Sequence, residues 1–260
     1  MTIWCVANQK GGVGKTTTTV ALASLIAAEG KRVLAIDLDP HASLSHWLGA
    51  GSGSEARGVA DLFSDAPPPV MDLVRPGGAP LLDVLPAQPA LATVERYGVG
   101  KQGLGLVLSK ALAEVAPRYD TVLLDCPPTL GVLMVGALAA ADLLIAPTQT
   151  EPLALHGLEG LLRTAQMIER SRGRPLPPRV VPTLYDKRTR AAQDTLATLR
   201  ERHGALVWES EIPVDTRLRE ASRDAQPPAL EHALSRGVVA YARLLAWLRG
   251  EPSIPEEIAA

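Results

Sequence analysis

Aromatic side chains are scarce in this chain, 3% of 260 residues with a single phenylalanine, so aliphatic residues must fill its interior. With 47% hydrophobic residues the supply is ample, and Ala, Leu and Val suit helices packed closely on a parallel sheet. Cysteine is nearly absent. Cys5 and Cys126 have no metal-ligand spacing, which argues against a cluster carrier built on paired thiolates and leaves both as reduced core residues. No apolar run is long enough to span a bilayer, and the chain enters a strand directly, without a charged segment and apolar core ahead of it. A cytoplasmic location is the expectation. An excess of one charge is missing too, since the formal net charge is −2. The charge is nonetheless uneven: residues 161–230 hold 13 Lys and Arg against 9 Asp and Glu. Internal repeats are absent.

What is present begins with Gln9-Lys10-Gly11-Gly12-Val13-Gly14-Lys15-Thr16-Thr17. The apolar run Ile3–Ala7 before it reads as a buried strand, and Thr18 to Ala28 as a helix stopped at Gly30. A glycine loop between strand and helix turns its backbone N–H groups inward on an anion, and the helix N-terminus adds partial positive charge. Lys15 can reach the β and γ phosphates, and the Thr16 hydroxyl is placed to ligate Mg²⁺. Gly11, Gly12, Val13, Gly14, Lys15, Thr16 and Thr17 are therefore expected to bind a nucleoside triphosphate, ATP with Mg²⁺. One departure matters. The usual loop opens on glycine, and here that place is Gln9, followed by a second lysine, Lys10. The pattern K-G-G-x-G-K-T-T resembles the deviant Walker A motif of the ParA/MinD group of ATPases.

Further along, Arg32–Ile36 is a second strand ending in Asp37-Leu38-Asp39-Pro40, which delivers two carboxylates to the sheet edge where ligands bind in open parallel sheets. Gly49–Gly58 reads as a loop, and Pro67–Pro69 with Pro76–Pro80 punctuate a stretch without a clear assignment. Strands are expected at Leu81–Leu85, Thr121–Cys126, Leu143–Pro147, Val180–Leu184 and, briefly, Leu206–Trp208. Helices are expected over residues 101–116, Leu130–Ala140, Leu153–Arg170, Arg188–Arg202 and Arg236–Arg249. The alternation implies βαβ units, hence an α/β fold: a single doubly wound, mainly parallel sheet with helices on both faces. One P-loop domain over residues 1–250 and an acidic, proline-bearing tail over 251–260 account for the chain.

Thr121 to Pro128 has the form of a Walker B element, with Asp125 expected to hold Mg²⁺ directly or through water. Of Asp37 and Asp39, one should lie near Mg²⁺ and the other nearer the attacking water. Asn8–Thr19, Ile36–Ser43 and Leu123–Pro128 together resemble the ParA family of positioning ATPases, and the resemblance extends through Pro182–Arg190 and Ile212–Ala221. It implies an ATP-dependent homodimer with both nucleotides between the subunits. It makes Lys10 a lysine that contacts the partner's phosphates, Asp39 the residue that orients the hydrolytic water, and Asp37 part of the magnesium shell. It also assigns Pro213 and Asp215 to the nucleotide. Where the common pattern reads D-P-Q-G-N, this chain has Asp39-Pro40-His41-Ala42-Ser43. A lone polar histidine on a loop is most simply solvated.

The resemblance places non-specific DNA binding on two basic segments, Lys187, Arg188 and Arg190 with Arg217 and Arg219. Contacts of that kind need charge and no base readout. With a strand starting at residue 3, no room is expected for an N-terminal operator-reading domain. The variant loops are similar to orphan ParA-like proteins encoded with chemotaxis genes, which implies chemoreceptor arrays as cargo, a location on the nucleoid and at the cell poles, and a ParB-like or chemotaxis-associated stimulating protein. Chromosome or plasmid partition is the alternative. A MinD-like membrane role is disfavoured by the acidic tail, and a small-molecule enzyme on the same scaffold remains a third reading.

Overall fold

The computed structural model describes residues 1–51, 57–98 and 103–251. The acidic tail and parts of the Gly49–Gly58 loop and of the 101–116 segment lie outside the described residues. In chain order the elements are β1 (Thr2–Val6), α1 (Lys15–Ala28), β2 (Val33–Asp37), α2 (Ser43–Trp47), β3 (Arg75–Ala79), β4 (Leu82–Leu85), α3 (Leu91–Tyr97), α4 (Leu104–Val115), β5 (Thr121–Asp125), α5 (Val132–Ala140), β6 (Leu143–Gln149), α6 (Pro152–Arg172), β7 (Pro178–Thr183), α7 (Arg190–His203), α8 (Thr216–Arg223), α9 (Pro228–Glu231) and α10 (Arg236–Arg249). The seven strands form one sheet in the order β3-β4-β2-β5-β1-β6-β7, parallel except for β3.

Strict alternation along β1 shows how the sheet is covered on both faces. Cys5 and Ala7 join one core with the α4, α5 and α6 side chains, whereas Trp4 and Val6 join a second core with α1 and α10. The two thiols lie in the first core, Cys5 Sγ 3.4 Å from Cys126 Sγ, and this burial beside one another pushes the Cys126 thiol up. Helix α1 is buried on most of its circumference, and even its polar Thr18 is satisfied inside, 3.0 Å from the Tyr241 hydroxyl on α10. Each fully buried aliphatic side chain there contributes about 1.5–3 kcal/mol. Among the described residues no helix is long and apolar enough to cross a membrane.

Two local expectations are corrected. Leu206–Trp208 is not a strand: Gly204–Leu206 forms a 3-10 turn, and only Val207 makes an isolated bridge to Val180. The helix expected from Arg188 starts at Arg190, because Asp186 accepts the Arg188 backbone N–H and builds a turn there. The proline-punctuated stretch contains β3, which tolerates Pro76 as an antiparallel edge strand with a register shift. Helices α2, α3, α8 and α9 have no counterpart in the sequence expectations. They run 5, 7, 8 and 4 residues, too short for a periodic pattern to declare itself.

Candidate active site

The sheet order reverses around β1, whose chain continuation crosses to β2 on one side while β6 pairs on the other, and the C-terminal ends of β1, β2 and β5 meet there. A cavity of about 630 Å³ opens at that edge. Its floor is the β1–α1 loop, with Gly11, Gly12, Gly14, Lys15, Thr16 and Thr17 among the lining residues. Gly12 and Gly14 have φ of +74° and +90°, left-handed values that a side chain would strain, and a Cβ at either would meet no atom within 4 Å. The loop is thus an open cradle of backbone donors ending at the N-terminus of α1. Val13, buried beneath it, anchors the loop by accepting the Thr183 hydroxyl at its carbonyl, 2.8 Å.

Lys15 is buried, its Nζ donating to the Lys10 carbonyl at 3.2 Å, and burial lowers its pKa while Asp125 and Asp39 oppose the shift. Thr16 Oγ1 donates to Asp125 Oδ2 at 2.7 Å, and Thr19 Oγ1 lies 3.4 Å from Oδ1. This fits a magnesium site in one particular way. The Thr16 hydroxyl offers a lone pair towards the cavity while its hydrogen is held by Asp125, and among the described residues no cluster of three acidic, histidine or cysteine ligands exists to cage a metal alone. Mg²⁺ commonly takes few protein ligands and completes its shell with phosphate oxygens and water.

The two remaining carboxylates separate. Asp39 lines the cavity, with Oδ1 accepting from the His41 backbone and ring. Asp37 does not line it: fully buried, it accepts Asp39 N at 3.1 Å on one oxygen and Ser45 N and Oγ at 2.8 and 2.7 Å on the other, so it ties α2 to β2. Pro213 and Asp215 line the opposite wall with Thr183, Leu184 and Leu218. Asp215 also caps α8 through Arg217 N and accepts Gly237 N at 2.6 Å, fixing that wall to α10.

Residues 1–176 match the AAA domain family AAA_31, and the chromosome-partitioning ATPase Soj of Thermus thermophilus is 41% identical over 246 residues, 92% of each chain. The chain belongs to the ParA family. Other ParA-family relatives agree: the chromosome partitioning protein ParA of Caulobacter vibrioides is 39% identical over 250 residues, covering 93% of this chain and 91% of that protein. Among solved structures, cobyrinic acid a,c-diamide synthase of Mycobacterium smegmatis with bound ADP and magnesium superposes with a TM-score of 0.80 at 32% identity, covering 98% of this chain and all of the other. An ATP complex of McdA from Cyanothece, at 19% identity and TM-score 0.83 with coverage of 98% and 99%, shares the fold.

Within this ParA-family frame, Arg219 sits where sequence reasoning does not put it, and Lys10, expected to serve a partner's phosphates, stands apart from its own cavity. Lys10 is not among the residues lining the cavity; its Nζ is 2.8 Å from Glu151 and 3.0 Å from Gln149 Oε1, at the β6–α6 junction. Arg219, grouped with the DNA-facing residues in sequence, lines the nucleotide cavity, whereas Arg217 on the same helix pairs outward with Glu220 at 3.0 Å. Lys187 and Arg188 line a second groove with Arg236 and Arg243 of α10, two arginines outside the basic window read from sequence. A parallel bridge from Tyr185 to Pro213 brings the segments carrying Arg188 and Arg217 side by side. Arg190 is exposed and 3.7 Å from Asp194.

The buried carboxylates set a pH dependence. Burial, with Asp37 adding to it, raises Asp125 to about 8, and burial raises Asp37 to about 6. The folded chain therefore keeps protons that the unfolded chain releases near pH 4, so stability is lost as pH rises from about 4 towards 8. Nucleotide-free protein should melt at lower temperature at pH 8 than at pH 6, and Asp125→Asn, which still accepts from Thr16, should flatten that slope. Identical slopes in thermal scans of parent and variant would refute this electrostatic assignment.

Proposed function

We propose that the protein is an ATPase that dimerises with ATP, binds DNA without sequence preference and positions a cellular cargo. The observation that carries this reading is the placement of Lys10. It belongs to the phosphate loop yet its ammonium is turned away from its own cavity and toward Glu151, which supports a role at a second subunit's nucleotide rather than its own.

In this reading the glycine-loop amides and Lys15 hold the β and γ phosphates, Thr16 with Asp125 behind it holds Mg²⁺, and Asp39 aligns the attacking water. Mg²⁺, when bound, neutralises charge on the phosphate oxygens. Phosphoryl transfer needs little covalent help from the protein, and this set supplies positioning and charge. Asp37 supports the site by fixing the β2–α2 connection, not by facing the phosphates.

For DNA, Arg188 and Arg217 lie on adjacent segments, and among the described residues each is paired with a partly exposed acid of its own segment, Asp186 and Glu220. Exposed pairs of this kind contribute about 0–1 kcal/mol, so phosphates can replace them at little cost. The double change Arg188→Glu and Arg217→Glu should abolish binding to unrelated duplexes while basal ATPase and dimerisation persist. Each lost phosphate contact should also flatten the salt dependence by about 0.9 in log–log slope. Unchanged affinity and slope in a titration over salt would make these arginines a solvated face.

Cargo is the finer question. The names of the relatives favour chromosome partition, while the variant loops support chemoreceptor arrays, met through a chemotaxis-associated adaptor. Imaging chemoreceptor clusters and chromosomes after gene deletion separates the two: dispersed clusters with normal chromosomes support the array reading, and the reverse supports partition.

A further inference from the structure

The turn between β2 and α2 carries a contact that the water-aligning role of Asp39 does not by itself require. Ala42 N donates to the Asp39 carbonyl at 2.8 Å and closes a four-residue turn. Ala42 itself is buried in the left-handed conformation, φ 55° and ψ 33°, and Ser45 grips Asp37 at the far side, so the turn is fixed at both ends. At its tip His41 folds back over two residues. Its backbone N–H donates to Asp39 Oδ1 at 3.0 Å, and its ring Nδ1 lies 2.8 Å from the same oxygen. A carboxylate can only accept, so Nδ1 carries the hydrogen. Two donors converge on Oδ1, leaving Oδ2 for another donor, and both side chains line the nucleotide cavity.

We propose that His41 is a positioning residue for ATP hydrolysis: its Nδ1–H locks the Asp39 carboxylate so that Oδ2 is presented to the attacking water. The inference rests on the reading of Asp39 as the water-aligning group. The imidazole is 82% exposed, so the contact adds little to stability. Its consequence is geometric. With the His41 backbone N–H alone on Oδ1, the carboxylate can turn about its Cβ–Cγ bond, and an ångström of misplacement at a group that aligns a nucleophile can cost about 10²-fold in rate. The ring also fixes its own tautomer through this bond, which a spectrum can read.

The test uses the full chain with His41→Ala and His41→Asn, measuring ATP turnover, affinity for a non-hydrolysable ATP analogue, and ring ¹⁵N resonances of nucleotide-free protein. His41→Ala should lower kcat by about tenfold or more with KM and analogue affinity within about twofold. His41→Asn, whose amide can donate from near the Nδ1 position, should recover most of that loss. The parent's His41 should show the Nδ1–H tautomer, and Asp39→Ala should remove the preference. Unchanged kcat in His41→Ala, equal loss in both variants, or a change confined to KM would overturn the proposal. The ring spectrum needs no turnover: an inactive parent with the Nδ1–H tautomer would sink the ATPase reading and keep the contact, whereas an active parent with the Nε2–H tautomer would sink the positioning role.

Discussion

Lys15→Ala is expected to eliminate measurable ATP binding and turnover together. Lys15 is the cationic side chain at the floor of the cavity, buried at the start of α1, while Lys10 is drawn away by Glu151 and Arg219 sits on the far wall with α8. Removing one partner of a buried charged contact costs about 2–5 kcal/mol, a loss of affinity from about thirtyfold to several-thousandfold. The fold should not suffer. Burial already disfavours the charge on Lys15, and among the described residues its side chain makes one hydrogen bond, a 3.2 Å contact to a carbonyl. Calorimetric titration with ATP and Mg²⁺, run beside a thermal scan, checks both halves. Binding retained in a folded variant would remove the phosphate-cradle assignment; an unfolded variant would mean that Lys15 is structural.

Asp39→Ala should fail differently. Among the described residues its side-chain hydrogen bonds stay within its own turn, to the His41 backbone and ring, and its backbone N–H donates to Asp37 at the end of β2. ATP should therefore bind with the parent's affinity while turnover drops by about 10²–10⁴-fold, the range associated with a lost acid–base or water-aligning group. Single-turnover kinetics with labelled ATP separates the steps. A variant that no longer binds ATP would place Asp39 with the metal or the fold instead.

How much of this was legible in the sequence follows from how local each signal is. The glycine loop, its flanking strand and helix, and the Asp125 strand are contiguous patterns, and the structure brings Thr16 and Asp125 to within 2.7 Å of one another. The doubly wound sheet followed from strand–helix alternation. The residue pattern alone left Asp37 and Asp39 alike, and the family resemblance put Asp37 in the magnesium shell; the structure instead has Ser45, eight residues on, holding Asp37. Arg219 and Arg217 look equivalent in a charge count, yet two residues on a helix lie about 200° apart around its axis, which sends one into the cavity and the other outward. The partners of Lys10 come from the β6–α6 junction, 139 and 141 residues along the chain, and only tertiary structure supplies them. The strand expected at Leu206–Trp208 failed because a single bridge to Val180 satisfied the segment.

The claim that most of the account depends on is that ATP, through Lys10, joins two copies of this chain. The direct measurement is mass by light scattering of the Asp39→Ala protein with ATP and Mg²⁺, with ADP and Mg²⁺, and without nucleotide, repeated with Lys10→Ala added. The account predicts the 27.5 kDa monomer without nucleotide and with ADP, a doubled mass with ATP alone, and the monomer again under ATP once Lys10 is removed. One mass in all three nucleotide states, or an ATP dimer that survives loss of Lys10, would contradict it.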